Sequence, residues 1–147
     1  MKKIMVAFMA CCVIAGIHAA ELNWLTDLPK AEAQAKSENK LVLMDFTGSD
    51  WCPWCMKMDK ETLTQSKFAD YAGKNLVLVL VDFPARKPQS DELKAANAAL
   101  AKKYGVNGYP TLIAVKPDGS VLMTQVGYLA GGPQAFIDEI QAARNKQ

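Results

Sequence analysis

The fold is decided by one stretch of the sequence, residues 41–55, which reads LVLMDFTGSDWCPWC. It opens with a nearly unbroken apolar run, which predicts a central strand covered on both faces. A lone carboxylate, Asp45, interrupts that run. Because an unpaired buried carboxylate destabilises a fold, its presence indicates a functional role. Turn residues follow at positions 47–50, and Pro53 suits a first helical turn, where its missing N–H would have no partner. Cys52 is thereby predicted to lie at the N-terminus of a helix.

Cys52 and Cys55 are separated by two residues, so their sulfur atoms can close into a disulfide with little movement of the backbone. The partial positive charge of a helix N-terminus favours the thiolate of Cys52. We therefore predict that Cys52 is the nucleophile and that Cys55, facing the interior one turn further on, resolves the mixed disulfide. The alternatives are a structural disulfide, half of a zinc site, or a soft Cu(I) site that includes Met56 and Met58. For the two methionines we favour packing, with Met58 in the core and Met56 partly exposed.

The first twenty residues differ from the rest of the chain. A basic start precedes an apolar run that is too short to span a bilayer comfortably, which is typical of a cleaved secretory signal peptide. We divide the chain into this signal peptide, residues 1–20, and one domain, residues 21–147. Export predicts a periplasmic or other extracytoplasmic location without stable membrane insertion after cleavage. A lipoprotein anchor at Cys11 or Cys12 is not expected, because the preceding residues match the anchoring pattern poorly.

Removal of the signal peptide changes both the charge and the supply of metal ligands. The formal charge of +2 rests on Lys2 and Lys3, so the remaining domain is neutral, with 15 basic and 15 acidic residues. A neutral domain gives no electrostatic reason to bind nucleic acid or an anionic membrane. Two cysteines and the only histidine are also lost, which leaves too few ligands for a zinc site of about four. We therefore expect no metal and no other cofactor.

Apolar runs and turn residues predict the remaining elements of the domain. Strands are expected at 41–46, 76–81, 111–115 and 121–126, and helices at 29–38, from Pro53 onward, 66–73, 91–104 and 133–144. In the helix at 91–104 the apolar positions follow a period close to 3.6 residues, at Leu93, Ala96, Leu100 and Tyr104. The last two strands form an antiparallel hairpin. This order predicts an α/β domain, a mixed sheet with helices on both faces.

Three motifs in this order and spacing resemble those of the thioredoxin superfamily. They are Asp45-Phe46 in a buried strand, the segment from Trp51 to Cys55, and residues 103–111, which read KYGVNGYPT. The resemblance covers residues 41–140 and is closest to exported bacterial thioredoxin-like proteins and to the C-terminal domain of membrane disulfide-interchange reductases. It implies a thioredoxin-like fold, a central mixed sheet flanked by helices on both faces, and a protein-disulfide oxidoreductase activity.

The resemblance also implies roles for individual residues. Pro110 matches a cis-proline before a main strand, where the backbone of Tyr109 would face the two sulfurs and pair with an extended substrate segment. Gly127 matches the small residue that leaves room for that segment. Asp45 matches a buried carboxylate that relays the proton of Cys55 through solvent, with a pKa that burial raises.

The motif departs from thioredoxin itself in two ways. Between Asp45 and Cys52 there is one residue more, which either widens the loop and leaves the strand phase intact or shifts the carboxylate away from the dithiol. The intervening pair Pro53-Trp54 resembles those of glutaredoxins and strong oxidants, whose potentials span roughly −230 to −120 mV against about −270 mV for thioredoxin, so we expect a less reducing protein. Trp54 is a candidate substrate contact, and Trp51 is either a second contact or packing support.

These observations predict an extracytoplasmic reductase or isomerase that acts, as a monomer, on exposed cysteines of exported proteins. A reductase outside the cytosol needs an electron source, and the resemblance implies a membrane thiol donor of the interchange type. The alternative is a copper-binding or chaperone module that uses the same fold without redox turnover. The lack of histidine in the mature chain argues against copper.

Overall fold

The computed structural model describes residues 22–146. The predicted signal peptide, residues 1–20, lies outside the described residues, as do Cys11, Cys12 and His18. Within residues 22–146, none of the helices combines the length and the apolar character that crossing a membrane requires.

The described chain folds around one mixed sheet with the strand order β1-β3-β2-β4-β5. β2 is parallel to β3 and antiparallel to β4, which pairs in turn with β5 as an antiparallel hairpin. The elements in chain order are β1 (Trp24–Leu25), α1 (Leu28–Glu38), β2 (Leu41–Thr47), α2 (Pro53–Met58) with a π-helical turn at Asp59–Leu63, α3 (Ser66–Asn75), β3 (Leu76–Asp82), α4 (Asp91–Tyr104), β4 (Thr111–Val115), β5 (Val121–Val126) and α5 (Gly132–Asn145). The predicted α/β architecture is confirmed. Strand β1 was not predicted, because two residues are too few to show an alternating pattern.

Strand β2 lies at the centre of the sheet, and all seven of its residues are buried. Successive side chains of a strand point to opposite faces. Leu41 and Leu43 accordingly join a core cluster with residues of α2, α3 and α5, whereas Val42, Met44 and Phe46 join a second cluster with residues of α1 and α4. The unbroken apolar run therefore reflects a strand covered on both faces, as predicted.

The same alternation fixes the direction of the Asp45 side chain. Asp45 is in phase with Leu41 and Leu43, on the face that α2 covers, and it pairs in register with Leu80 of β3 and Leu112 of β4. The additional residue before Cys52 is therefore absorbed in the loop, and the phase of the strand is intact.

Helix α4 is less buried than its apolar period predicts. Among the four apolar positions, Ala96 is exposed and the others, Leu93, Leu100 and Tyr104, are half-buried. Leu93, Ala96 and Leu100 line an open groove against the start of α1. The buried residue of α4 is Asn97, whose Nδ2 donates a hydrogen bond of 2.8 Å to the carbonyl of Asp82 at the end of β3. This polar anchor adds to the contacts of Leu100 and Tyr104, which pack against the second core cluster.

The packing of the core on the α2 side of the sheet can be tested at Phe136 of α5. Its ring is fully buried, with its centroid 6.1 Å from that of Phe68. We expect Phe136→Ala to lower the free energy of unfolding by about 3–5 kcal/mol, because a large cavity replaces the ring. Val121 is 49% exposed, so Val121→Ala should cost about 1 kcal/mol or less. Urea unfolding measures both values, and equal losses would contradict this description of the core.

Candidate dithiol site

The two cysteines of the motif form a disulfide at the start of α2, with their Cα atoms 5.3 Å apart. Cys52 is the N-cap of the helix, and its Sγ accepts a hydrogen bond of 3.2 Å from the backbone N–H of Cys55. The first N–H groups of a helix have no partner within it and carry partial positive charge. Cys52 and Cys55 are only 4% and 3% exposed, so the loops around them determine how a partner reaches the sulfurs.

The loop before β4 places a cis peptide bond at this site. The bond between Tyr109 and Pro110 is cis, as the resemblance implied. The carbonyl of Pro110 accepts a hydrogen bond of 2.8 Å from the N–H of Gly127. Gly127 has a φ of 81°, which L side chains rarely adopt, and a Cβ built there would meet no atom within 4 Å. The backbone therefore favours glycine here, and the space beside it is open.

An aromatic groove lies next to the cis peptide bond. Trp54, Tyr109, Gly127 and Tyr128 line an opening of about 310 Å³. The Trp54 side chain is 57% exposed, and its ring centroid lies 5.8 Å from that of Tyr128. Lys57 places its Nζ 4.6 Å from the centroid of the Tyr128 ring. This exposure of Trp54 agrees with its choice as a candidate contact.

Tyr128 and Lys57 were missed by the sequence analysis. Lys57 follows Trp54 by one helical turn, and Tyr128 directly follows Gly127. Their closeness to predicted site residues was therefore visible in the sequence. The Tyr128 hydroxyl donates a hydrogen bond to the carboxylate of Glu61, and this bond raises the pKa of Tyr128.

Trp51 packs against two neighbouring loops. Its Nε1 donates a hydrogen bond of 2.7 Å to the carbonyl of Phe83, and its ring meets the edge of Tyr109 with centroids 5.9 Å apart. A Cβ built on Gly48 would lie 2.4 Å from the Trp51 ring, so the indole occupies the space that a side chain at position 48 would need. Trp51 thus packs against its neighbours, while 46% of the residue stays exposed.

Asp45 and Cys55 line the same cavity, which has a volume of about 310 Å³. The Asp45 side chain is buried, and its Oδ1 has no hydrogen-bond partner. Burial, together with the smaller effects of the nearby carboxylates of Asp59 and Asp82, raises the pKa of Asp45 to about 7. The structure therefore brings the carboxylate and the second cysteine to one cavity.

Asp59 is a second carboxylate of this cavity that the sequence analysis missed. It follows Cys55 by four residues, one turn along the helix, and this spacing was the available signal. Burial raises the pKa of Asp59 as well.

The methionines beside the dithiol lie as predicted. Met58 is 1% exposed and belongs to the core, whereas Met56 is 46% exposed on the helix surface. Among residues 22–146, no three or more His, Cys, Asp or Glu side chains come together in a group that could hold a metal ion.

The chain is similar to known proteins over most of its length. Residues 28–144 match the thioredoxin-like domain family. The chain is 36% identical over 127 residues to the disulfide bond reductase DsbH of Chlamydia pneumoniae, and this match covers 86% of this chain and 75% of that protein. It is 30% identical over 118 residues to the thiol:disulfide interchange protein DsbD of Vibrio cholerae, where the match covers 79% of this chain but 18% of that protein. A solved structure of a DsbH oxidoreductase superposes with a TM-score of 0.82 at 35% identity, covering 90% of each chain.

The raised pKa of Asp45 predicts a pH-dependent stability. The folded state keeps a proton that the unfolded chain releases near pH 3.8, so this contribution is fully present below pH 3.8 and is lost as the pH rises through about 7. Asp45→Asn cannot ionise. Its stability relative to the wild type should therefore rise by about 2–3 kcal/mol between pH 5 and pH 8.

Urea unfolding of the oxidised proteins at the two pH values measures this difference. Asp118→Asn is the control, since Asp118 is exposed and its pKa is lowered by hydrogen bonds from Ser120. Its offset from the wild type should not change between pH 5 and pH 8. A constant offset for Asp45→Asn would show that this carboxyl does not titrate in the window.

Proposed function

Since this chain belongs to the thioredoxin-like domain family and is a protein-disulfide oxidoreductase, we propose that it reduces or isomerises the disulfides of exported proteins outside the cytosol. The observation that carries the proposal is the Cys52–Cys55 disulfide at a helix N-terminus. The cis bond before Pro110 and the open space beside Gly127 support it.

The reaction begins with the reduced dithiol. The Cys52 thiolate attacks one sulfur of a substrate disulfide, the substrate S–S bond breaks, and its other sulfur leaves as a thiolate. Cys55 then gives up its proton and attacks Cys52 Sγ, which releases the second substrate sulfur. Two electrons pass from the dithiol to the substrate, and the Cys52–Cys55 disulfide is the oxidised product. A dithiol donor must return those electrons before the next cycle.

Asp45 is the group that we assign to the proton of Cys55. Both residues line one cavity, which also contains the polar side chains of Thr47, Ser49 and Asp59 and is large enough to hold water between Asp45 and Cys55. A general base works best when its pKa lies near the working pH, and burial brings the pKa of Asp45 to about 7. Asp45 therefore accepts the proton when Cys55 attacks and returns it when the dithiol is regenerated.

Substrate capture is assigned to the loops that surround Cys52. An extended segment pairs with the backbone at Tyr109, beside Pro110, and passes the open space at Gly127. The exposed faces of Trp51 and Trp54, which lie beside Tyr109, supply apolar contact.

Separate observations support the proposed electron donor and the proposed cellular location. Residues 1–20 have the pattern of a secretory signal, which favours an extracytoplasmic protein. The similar protein DsbH is named a disulfide bond reductase, which favours the reductive direction. The similarity to an interchange protein favours a membrane thiol donor. We propose that the protein works as a monomer without a cofactor.

Replacement of each cysteine separates the two roles. Cys52→Ser should reduce insulin-disulfide reduction to the background rate, because the thiolate that attacks the substrate disulfide is removed. Cys55→Ser should instead accumulate mixed disulfides with the substrate, since no thiol resolves them. Val121→Ala, a surface variant in β5, should keep the wild-type rate. Non-reducing gels and the insulin assay measure these outcomes, and turnover by both cysteine variants would contradict the mechanism.

The reduction potential of the dithiol tests the direction of electron flow. The Pro53-Trp54 pair predicts a value above the roughly −270 mV of thioredoxin. Equilibration of the protein in defined thiol buffers measures it. A potential near −120 mV would contradict reductase duty and indicate an oxidase.

A further inference from the structure

The loop after β3 contains the segment 84–88, which begins and ends with a proline. Proline has no backbone N–H, so the three residues between the prolines carry all the backbone donors of this segment. All three donate to the carboxylate of Asp50. The N···O distances are 2.8, 2.7 and 2.8 Å, from Ala85, Arg86 and Lys87 respectively.

Further contacts join the same two loops. The guanidinium of Arg86 donates to the backbone carbonyl of Asp50, and Lys87 Nζ lies 3.2 Å from Ser49 Oγ. The N–H and the hydroxyl of Ser49 donate to the Asp82 carboxylate at 2.9 and 2.6 Å. The loop that is one residue longer than in thioredoxin is therefore fastened at both Ser49 and Asp50.

The Asp50 carboxylate is well suited to these three donors. Hydrogen bonds from the backbone of Ala85, Lys87 and Arg86 lower its pKa to about 2, against a smaller opposing effect of burial. An ionised carboxylate only accepts hydrogen bonds, whereas the amide of an asparagine would turn a donor toward the N–H groups. The fastening therefore persists at every pH at which the protein works.

The fastened segment supports the aromatic residues around the buried sulfur. It begins directly after Phe83, whose carbonyl accepts the Trp51 indole N–H and whose ring centroid lies 5.2 Å from that of Tyr109. Asp50 itself precedes Cys52 by two residues. Three loops thus meet beside Cys52, and the Asp50 carboxylate holds two of them together.

We propose that Asp50 is a positioning residue of this enzyme, whose carboxylate fixes the 84–88 segment against the Cys52 loop and so keeps the substrate-binding surface in shape for a polypeptide. The inference rests on the proposed function, because it concerns substrate capture by the same dithiol. Among residues 22–146, no hydrogen bond joins Asp50 to either sulfur. Asp50 thus acts on the KM for polypeptide substrates and leaves the chemistry at Cys52 unchanged.

The test compares Asp50→Asn and Asp50→Ala with the wild type in insulin reduction, with dithiothreitol as the electron source. KM should rise by roughly 5- to 20-fold, a loss of about 1–2 kcal/mol in substrate binding, because the 84–88 segment no longer keeps the binding surface in shape. The kcat and the rate of Cys52 alkylation by iodoacetamide should stay within about twofold, since the transition state at sulfur is untouched. The rise in KM should be equal at pH 5 and pH 8, because Asp50 stays ionised between them.

Hydrogen exchange reports the fastening directly. The amides of the three residues between the prolines should exchange at least about tenfold faster in both Asp50 variants. Asp118→Asn is the matched control, since it removes a carboxylate that accepts the N–H and hydroxyl of Ser120 in a turn away from the dithiol. This control should change neither KM nor those three exchange rates.

The outcomes separate the inference from the proposed function. An active wild type with an unaltered KM in Asp50→Asn overturns the inference alone, and so does a parallel loss of kcat and alkylation rate. A wild type that is inactive on polypeptide disulfides overturns the proposed function and with it the assignment to substrate capture. Should Asp50→Ala fail to fold, Asp50→Asn, which keeps the shape of the side chain, decides the question.

Discussion

A strand whose side chains alternate between two faces can direct only every second residue toward the helix above it. In β2 this constraint places Asp45 with Leu41 and Leu43, beneath α2, while the same strand ends in the loop that leads to Cys52. Strand β2 therefore determines both the face of the sheet on which the carboxylate lies and the point at which the loop to the dithiol helix begins. A shift of one residue in the pairing of β2 would turn Asp45 to the opposite core and separate it from Cys55.

Two carboxylates five residues apart show how far the surroundings decide what an aspartate does. Asp45 is buried with an unpartnered oxygen, so its pKa rises to about 7 and it can exchange a proton. Asp50 receives three backbone N–H groups, so its pKa falls to about 2 and it remains a fixed charge. The chemical group is the same in both places. Burial without a hydrogen-bond partner favours an acid–base role for Asp45, whereas backbone hydrogen bonds favour a structural role for Asp50.

The features that follow from local pattern were predictable, and those that depend on remote partners were not. The apolar run of β2 and the capping position of Cys52 were visible in the sequence, and the cis bond before Pro110 followed from the family resemblance. The hydrogen-bond partners of Asp50 lie 35 to 37 residues away along the chain, and no pattern within the loop predicts them. Helix α4 was predicted with its correct bounds, but the hydrogen bond from Asn97 to a carbonyl of β3 has no signal in the apolar pattern.

The contact between Gly48 and Trp51 makes these two positions interdependent. Since a Cβ at position 48 would overlap the indole at 2.4 Å, any larger residue there must displace a ring that is held by the Phe83 carbonyl and by Tyr109. A mutational library that varies position 48 alone would therefore sample mainly damaged loops. Productive redesign of this turn has to vary positions 48 and 51 jointly, exchanging bulk at one for space at the other.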